Sequence, residues 1–227
     1  MGSGAAVYHT AGALGNSERV WILAKLPGEI RVVGNDIADK YLLLSNSHDG
    51  SSAVQVKFTP VRVVCQNTLM MALDHGPTLR VIHDRAMHKR LDDTPRMLGI
   101  INDEYGRIEE AFARMATVQI NTKGLVSYLA RVLPGSADPR DDGAPEQTPH
   151  KRTELERFFE SGCGSDLPGV RGTLWGAYNA VTEYVDHFSR KWRSPDGRLK
   201  SVCFGGGYQL KVRAFAVAQD ILAGKLN

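Results

Sequence analysis

Residues 40–68 read KYLLLSNSHDGSSAVQVKFTPVRVVCQNT, and how this stretch is read decides the fold. Two apolar runs flank SNSHDGSS, eight residues rich in turn formers. After the turn, Val54, Val56 and Phe58 alternate with Gln55 and Lys57, the period of a strand with one buried face. Ser47, His48 and Asp49 stand side by side, which invites a catalytic reading. A catalytic triad needs its members to converge from separate elements, each orienting the next, and neighbours on an extended chain point in different directions. No G-x-S-x-G elbow is present either. Asn, Asp, Ser and Gly each favour turn geometry, so the stretch predicts a β-hairpin. Pro60 fits an edge or bulge position because it has no ladder donor. Beyond it, Val61, Val63 and Cys65 take one side and Arg62 the other.

Working outward, RVWILAKL (19–26) places Val20, Ile22 and Ala24 on one face and Arg19, Trp21 and Lys25 on the other. Pro27-Gly28 predicts a turn, EIRVVG a short strand after it, and TLRVIH (78–83) one more. Short connections make these strands antiparallel. One face of the sheet is apolar; the other carries Arg19, Lys25, Lys57, Arg62 and Arg80. Helices follow. Thr94 and Pro95 start one, and Leu98, Ile101, Tyr105, Ile108, Phe112 and Met115 recur in steps of three and four, a stripe suited to lie on the apolar sheet face. TKGLVSYLARVL, KRTELERFFESG and GTLWGAYNAVTEYVDHF give further helices, and FGGGYQLKVRAFAVAQDILAG one more, closed by Gly224. The class expected is α+β: an antiparallel sheet of short strands on a long amphipathic helix, with further C-terminal helices. Residues 1–134 form the sheet and long helix, 135–150 a mobile linker, and 151–227 a helical part packing on the same core.

Composition is that of a globular chain, with 42% hydrophobic and 23% charged residues among 227 and a net charge of +3. The charge is uneven. Residues 190–227 hold eight basic and two acidic side chains, so this end carries +6 and the rest −3. Three widely spaced cysteines argue against a disulfide framework and against a cysteine zinc site. No apolar run is long enough to span a bilayer, and the first residues lack the pattern of a signal peptide. A cytoplasmic location without membrane contact is the expectation.

Two constellations carry chemistry. Glu183, Asp186 and His187 share a helix face at i, i+3 and i+4, and with His48 and Asp49 they are the candidate ligands of a metal-dependent alternative. FGGGY opens a helix as a phosphate loop does, but it matches neither glycine fingerprint and reads as a plain turn. The second constellation is basic and aromatic. Trp192 lies between Lys191 and Arg193, with Arg198, Lys200 and Tyr208 nearby. Single-stranded nucleic acid requires this combination, charge for its backbone and π-faces for its bases.

The stretches AGAL, RVWILAKLP, YLLLSNSHDGSSAVQVKFTPVRVVCQNTL, GTLWGAYNAVTEYVDH and FGGGYQLKVRAF resemble the phage/plasmid-like family catalogued as domain of unknown function 932. The resemblance runs from about Ala11 to Phe215, in pattern more than in residues between 84 and 172. Members usually carry a further N-terminal segment, so either a natural short form or a truncated chain is expected here. The family implies a role in mobile-element DNA metabolism. Strands followed by a long helix also resemble, at the level of fold, phage single-strand annealing proteins and their eukaryotic counterparts, which form rings around a basic groove.

The expectation is a nucleic-acid-binding protein with single-stranded DNA as its ligand and a homo-oligomeric state, a ring-forming annealing protein being one form of that role. Lys57, Arg62, Arg80, Lys191, Arg193, Arg198, Lys200, Lys211 and Arg213 would neutralise phosphates, and Trp192 would stack. No catalytic residue and no cofactor are assigned. The alternatives are a metal-dependent nuclease or other hydrolase, and a phage structural or inhibitory protein acting by protein contact.

Overall fold

The computed structural model describes residues 6–48, 54–69, 79–81, 94–133, 147–189 and 194–225. Among them, strands β1 (Val7–Leu14), β2 (Arg19–Val33), β3 (Asp36–Ser47), β4 (Val54–Phe58), β5 (Val61–Arg62) and β6 (Leu79–Val81) form one antiparallel sheet. The spatial order is β1-β2-β3-β4-β6, and β5 pairs with the start of β3. The helices are α1 (Thr94–Thr117), α2 (Thr122–Val132), α3 (Gln147–Ser161), α4 (Leu174–Glu183), α5 (Pro195–Phe204) and α6 (Gly206–Leu222), with a π-helical turn, Tyr184–Phe188, continuing α4. The chain is therefore α+β. Helix α3 begins at Gln147, inside the stretch read as a linker; the rest of that stretch lies outside the described residues.

The hairpin that decided the reading is formed. β3 and β4 pair from Leu42↔Phe58 to Ser45↔Gln55, so residues 48–53 connect two neighbouring antiparallel strands. Ser47 ends β3, buried, and exposed His48 donates its backbone N–H to the Glu18 carbonyl at 2.7 Å. Asp49 lies outside the described residues.

The turn expected at Pro27-Gly28 is not there. β2 runs through it to Val33, with a bulge between Lys25 and Glu29 where Gly28 takes φ +79°. A bulge interrupts the ladder, so the missing proline donor costs nothing, and glycine accepts the left-handed backbone. The real turn comes at Gly34-Asn35, with Gly34 at φ +53°.

The α1 stripe is buried, with Tyr105, Ile108, Phe112 and Met115 at 1% exposure or less. It divides its contacts, however. Tyr105 meets the sheet: its ring stands edge-on to Phe58 at 5.4 Å and its hydroxyl donates to the Tyr41 carbonyl. Phe112 instead packs among Trp175, Tyr178 and Phe215, ring centroids 4.6, 6.1 and 6.1 Å away. The sheet thus receives only part of the stripe, and α4 and α6 receive the rest. The side chains of Leu98 and Ile101 lie outside the described part.

The opposite sheet face departs further from expectation. Register places Trp21 beside Ser45, and Leu43 between Leu23 and Lys57. Leu43 packs with Val185, Val202 and Cys203, with Trp21, Leu23, Phe204 and Tyr208 around them. Three large apolar side chains on this face demand a cover, and the C-terminal helices supply it. The face is not an open basic surface.

Candidate nucleic-acid interface

The chain from Pro60 to Leu69 is a small hairpin. Arg62 N–H donates to the Asn67 carbonyl (3.0 Å), Gln66 N–H to the Arg62 carbonyl (2.7 Å) and Leu69 N–H to the Pro60 carbonyl (2.8 Å). Its four-residue tip, 63–66, closes with Gln66 at φ +54°.

Arg62 roots this hairpin. It is wholly buried, donates to both Asp36 oxygens (2.7 and 2.8 Å) and reaches the carbonyls of Cys163 and Gly164 (3.1 and 3.2 Å). Trp175 Nε1 also donates to Asp36, at 2.7 Å. Burial works against the Arg62 charge, but the Asp36 hydrogen bonds and charge prevail and hold its proton more tightly than usual. Arg62 was read as a phosphate contact; here its charge is spent on Asp36, out of a ligand's reach.

The free side of the hairpin rests on the π-helical turn. Asp186 Oδ2 accepts from Thr68 N–H (2.6 Å) and Thr68 Oγ1 (2.7 Å), while Lys211 Nζ, from α6, donates to Asp186 Oδ1 (2.7 Å) and Thr68 Oγ1 (2.6 Å). Lys211 is fully buried, so it too leaves the list of phosphate contacts: a lysine reaches such a position only when paired. His187 Nε2 lies 3.1 Å from the Cys65 carbonyl and 3.0 Å from Asn67 Oδ1. A carbonyl only accepts, so Nε2 carries the proton in the neutral ring. Nδ1 then faces an Arg198 nitrogen at 3.4 Å. Glu183 turns elsewhere and accepts the Cys163 N–H at 3.1 and 3.0 Å. Glu183, Asp186 and His187 share no partner: Glu183 holds Cys163, Asp186 holds Thr68 and Lys211, and His187 meets Cys65, Asn67 and Arg198. Among the described residues no group of three His, Cys, Asp or Glu side chains is arranged to hold a metal ion.

Between this hairpin and α5 lies an open cleft of about 680 Å³. Gln66, Thr68 and Asp186 line one side; Arg198, Leu199 and Val202 line the other. Helix α5 starts cleanly, with Pro195 in its first turn and Ser194 Oγ accepting the Gly197 N–H at 3.1 Å. Burial pushes the Cys203 thiol on the cleft wall up to about 11.

The other predicted contacts divide as follows. Arg198, Lys200 and Arg213 are exposed. Lys57 is half-buried against the C-terminal helices, its Nζ 4.0 Å from the Tyr208 ring centre, 5.1 Å from that of Phe204, and 3.4 Å from the Cys203 carbonyl. The backbone of Arg80, in β6, pairs with Gln55 of β4; its side chain lies outside the described part, as do Lys191, Trp192 and Arg193. FGGGY forms the junction of α5 and α6. A Cβ on Gly207 would come within 2.8 Å of Val185 and 3.0 Å of the Ser201 carbonyl, so close packing accounts for that glycine. Sequence reading missed Asp36, Gln66, Asn67 and Thr68. The available signal was CQNT, a polar run straight after an apolar strand.

No described helix is long and apolar enough to cross a membrane. No curated protein and no solved structure matches the chain. A family model described as Domain of unknown function (DUF932) matches residues 1–203, spanning both the hairpin and the helix that clasps it. The chain belongs to this family, DUF932.

Proposed function

We propose that the protein binds single-stranded nucleic acid, with DNA as the ligand, in the service of phage or plasmid DNA metabolism such as strand annealing. The observation that carries this reading is the cleft: an apolar wall, Leu199 and Val202, faces a polar hairpin, with exposed Arg198 among the lining residues. An unstacked base seeks apolar contact and a few polar groups, and its phosphate seeks a cation. With Arg62 and Lys211 committed to buried carboxylates, the grip on phosphate falls to Arg198, Lys200 and Arg213, joined by Lys191 and Arg193 of the basic stretch that precedes α5 in the sequence. Trp192, between those two in the sequence, supplies a stacking face. Several copies acting together would extend the contact along a strand.

Anisotropy titration with a labelled single strand and with the matching duplex tests the proposal. Tighter binding of the single strand is expected. Trp192→Ala should weaken it by about 1–3 kcal/mol, the usual worth of one stacked base. The reading fails if neither form binds at micromolar protein, or if the duplex binds better.

A further inference from the structure

We infer that Gln66 holds an unpaired nucleobase in the cleft; the inference rests on the nucleic-acid reading above and names where the base, rather than the phosphate, is held. Three observations meet at this residue. First, Gln66 occupies the last position of a four-residue hairpin tip at φ +54°. Glycine and asparagine fill such positions without strain, and a glutamine there carries a backbone cost. Residues kept in strained backbone concentrate at functional sites.

Second, the backbone on either side is pinned. The Cys65 carbonyl and the Asn67 side chain are held by His187, and Thr68 by Asp186 and Lys211. A side chain leaving such an anchored turn is pre-organised, so little ordering remains for the ligand to impose. Third, Gln66 is exposed on the rim of the cleft, and its amide has no protein partner among the described residues. An amide offers a donor and an acceptor side by side, the complement of the donor–acceptor pairs on base edges. Sugar and phosphate lack that pair. Leu199 and Val202 across the cleft give the ring of the base an apolar wall, and Arg198 on the same side as these two is the cation for its phosphate.

The test compares an ordinary mixed-sequence single strand with an abasic strand of the same length. Gln66→Gly is the variant, because glycine relieves the left-handed backbone and keeps the turn. It should weaken binding of the base-bearing strand by about 5- to 150-fold, the worth of one good two-point base contact, and leave the abasic strand's affinity unchanged. Gln66→Asn, which keeps the amide and tolerates the backbone, should retain part of the difference. Equal weakening of both strands would assign Gln66 a purely structural role and overturn the inference, as would no change in either. If the intact protein binds both strands equally and with salt dependence, the inference fails while the nucleic-acid reading stands. If it binds neither, both fail.

Discussion

Lys211 and Asp186 form a salt bridge of 2.7 Å with side-chain exposures of 0% and 4%, and the Thr68 hydroxyl bonds to both. Three separate parts of the chain, the hairpin, the π-helical turn and α6, are thereby fixed to one another. The same contacts underlie the cleft, which half-buried Thr68 and the almost wholly buried Asp186 help to line. Basic residues near the C-terminus thus fall into two groups: Lys211 is buried in an ion pair, whereas Arg198, Lys200 and Arg213 are exposed.

Lys211→Met should destabilise the protein by about 3–5 kcal/mol, because it strands the Asp186 carboxylate in the interior. Replacing both, as Lys211→Met with Asp186→Leu, should recover part of that loss. Urea unfolding of the wild type and the two variants checks this. A loss under about 1 kcal/mol for Lys211→Met would mean that the pair is not buried.

Phe112→Ala should cost about 3–5 kcal/mol, the usual penalty for deleting a buried ring. Its contacts are Trp175, Tyr178 and Phe215, so near-ultraviolet circular dichroism should change as well. A loss below about 1 kcal/mol would remove Phe112 from the core.

Stability should fall above pH 9. Burial raises the Cys203 thiol from 9.0 to about 11, and it raises Tyr105, Tyr128 and Tyr178 as well. Above pH 9 the unfolded chain sheds thiol protons that the folded chain keeps, so the unfolded state gains. The contribution of Cys203 is complete below pH 9 and lost as pH rises through about 11, and it amounts to about 2–3 kcal/mol at most. Denaturant midpoints at pH 8 and pH 10.5, for wild type and Cys203→Ala, provide the check. A wild type equally stable at both would contradict it.

The sequence was most legible where periodicity and turn chemistry agree. Val54, Val56 and Phe58 against a Ser/Asn/Asp/Gly run identify the hairpin, and the spacing from Tyr105 to Met115 identifies the long helix. Pro27-Gly28 misled because a proline tolerated in a bulge looks the same in sequence as one that ends a strand. Trp21, Leu23 and Leu43 sat on the face expected to be basic, and that was the sign that the C-terminal helices cover it. The site was harder to read. Arg62 and Lys211 look like surface cations until Asp36 and Asp186, 26 and 25 positions away, are placed against them. Pairings of that kind depend on tertiary folding and leave no local pattern. Gln66 was marked in the sequence only by the polar run CQNT, and its left-handed backbone at the hairpin tip shows only in the fold.

The central claim is that exposed cations of the C-terminal region grip the backbone of a single strand, and the salt dependence of binding tests it most directly. Each phosphate neutralised on a single strand should contribute about −0.7 to the slope of log affinity against log salt. Replacing Arg198, Lys200 and Arg213 together by alanine should flatten the slope by up to about two units while the fold is preserved, since all three are exposed. Binding by the intact protein that falls steeply with salt, and a variant with the shallower slope, is the predicted result. No salt-dependent binding to any single strand at micromolar protein, or a slope that the triple replacement leaves unchanged, would contradict it.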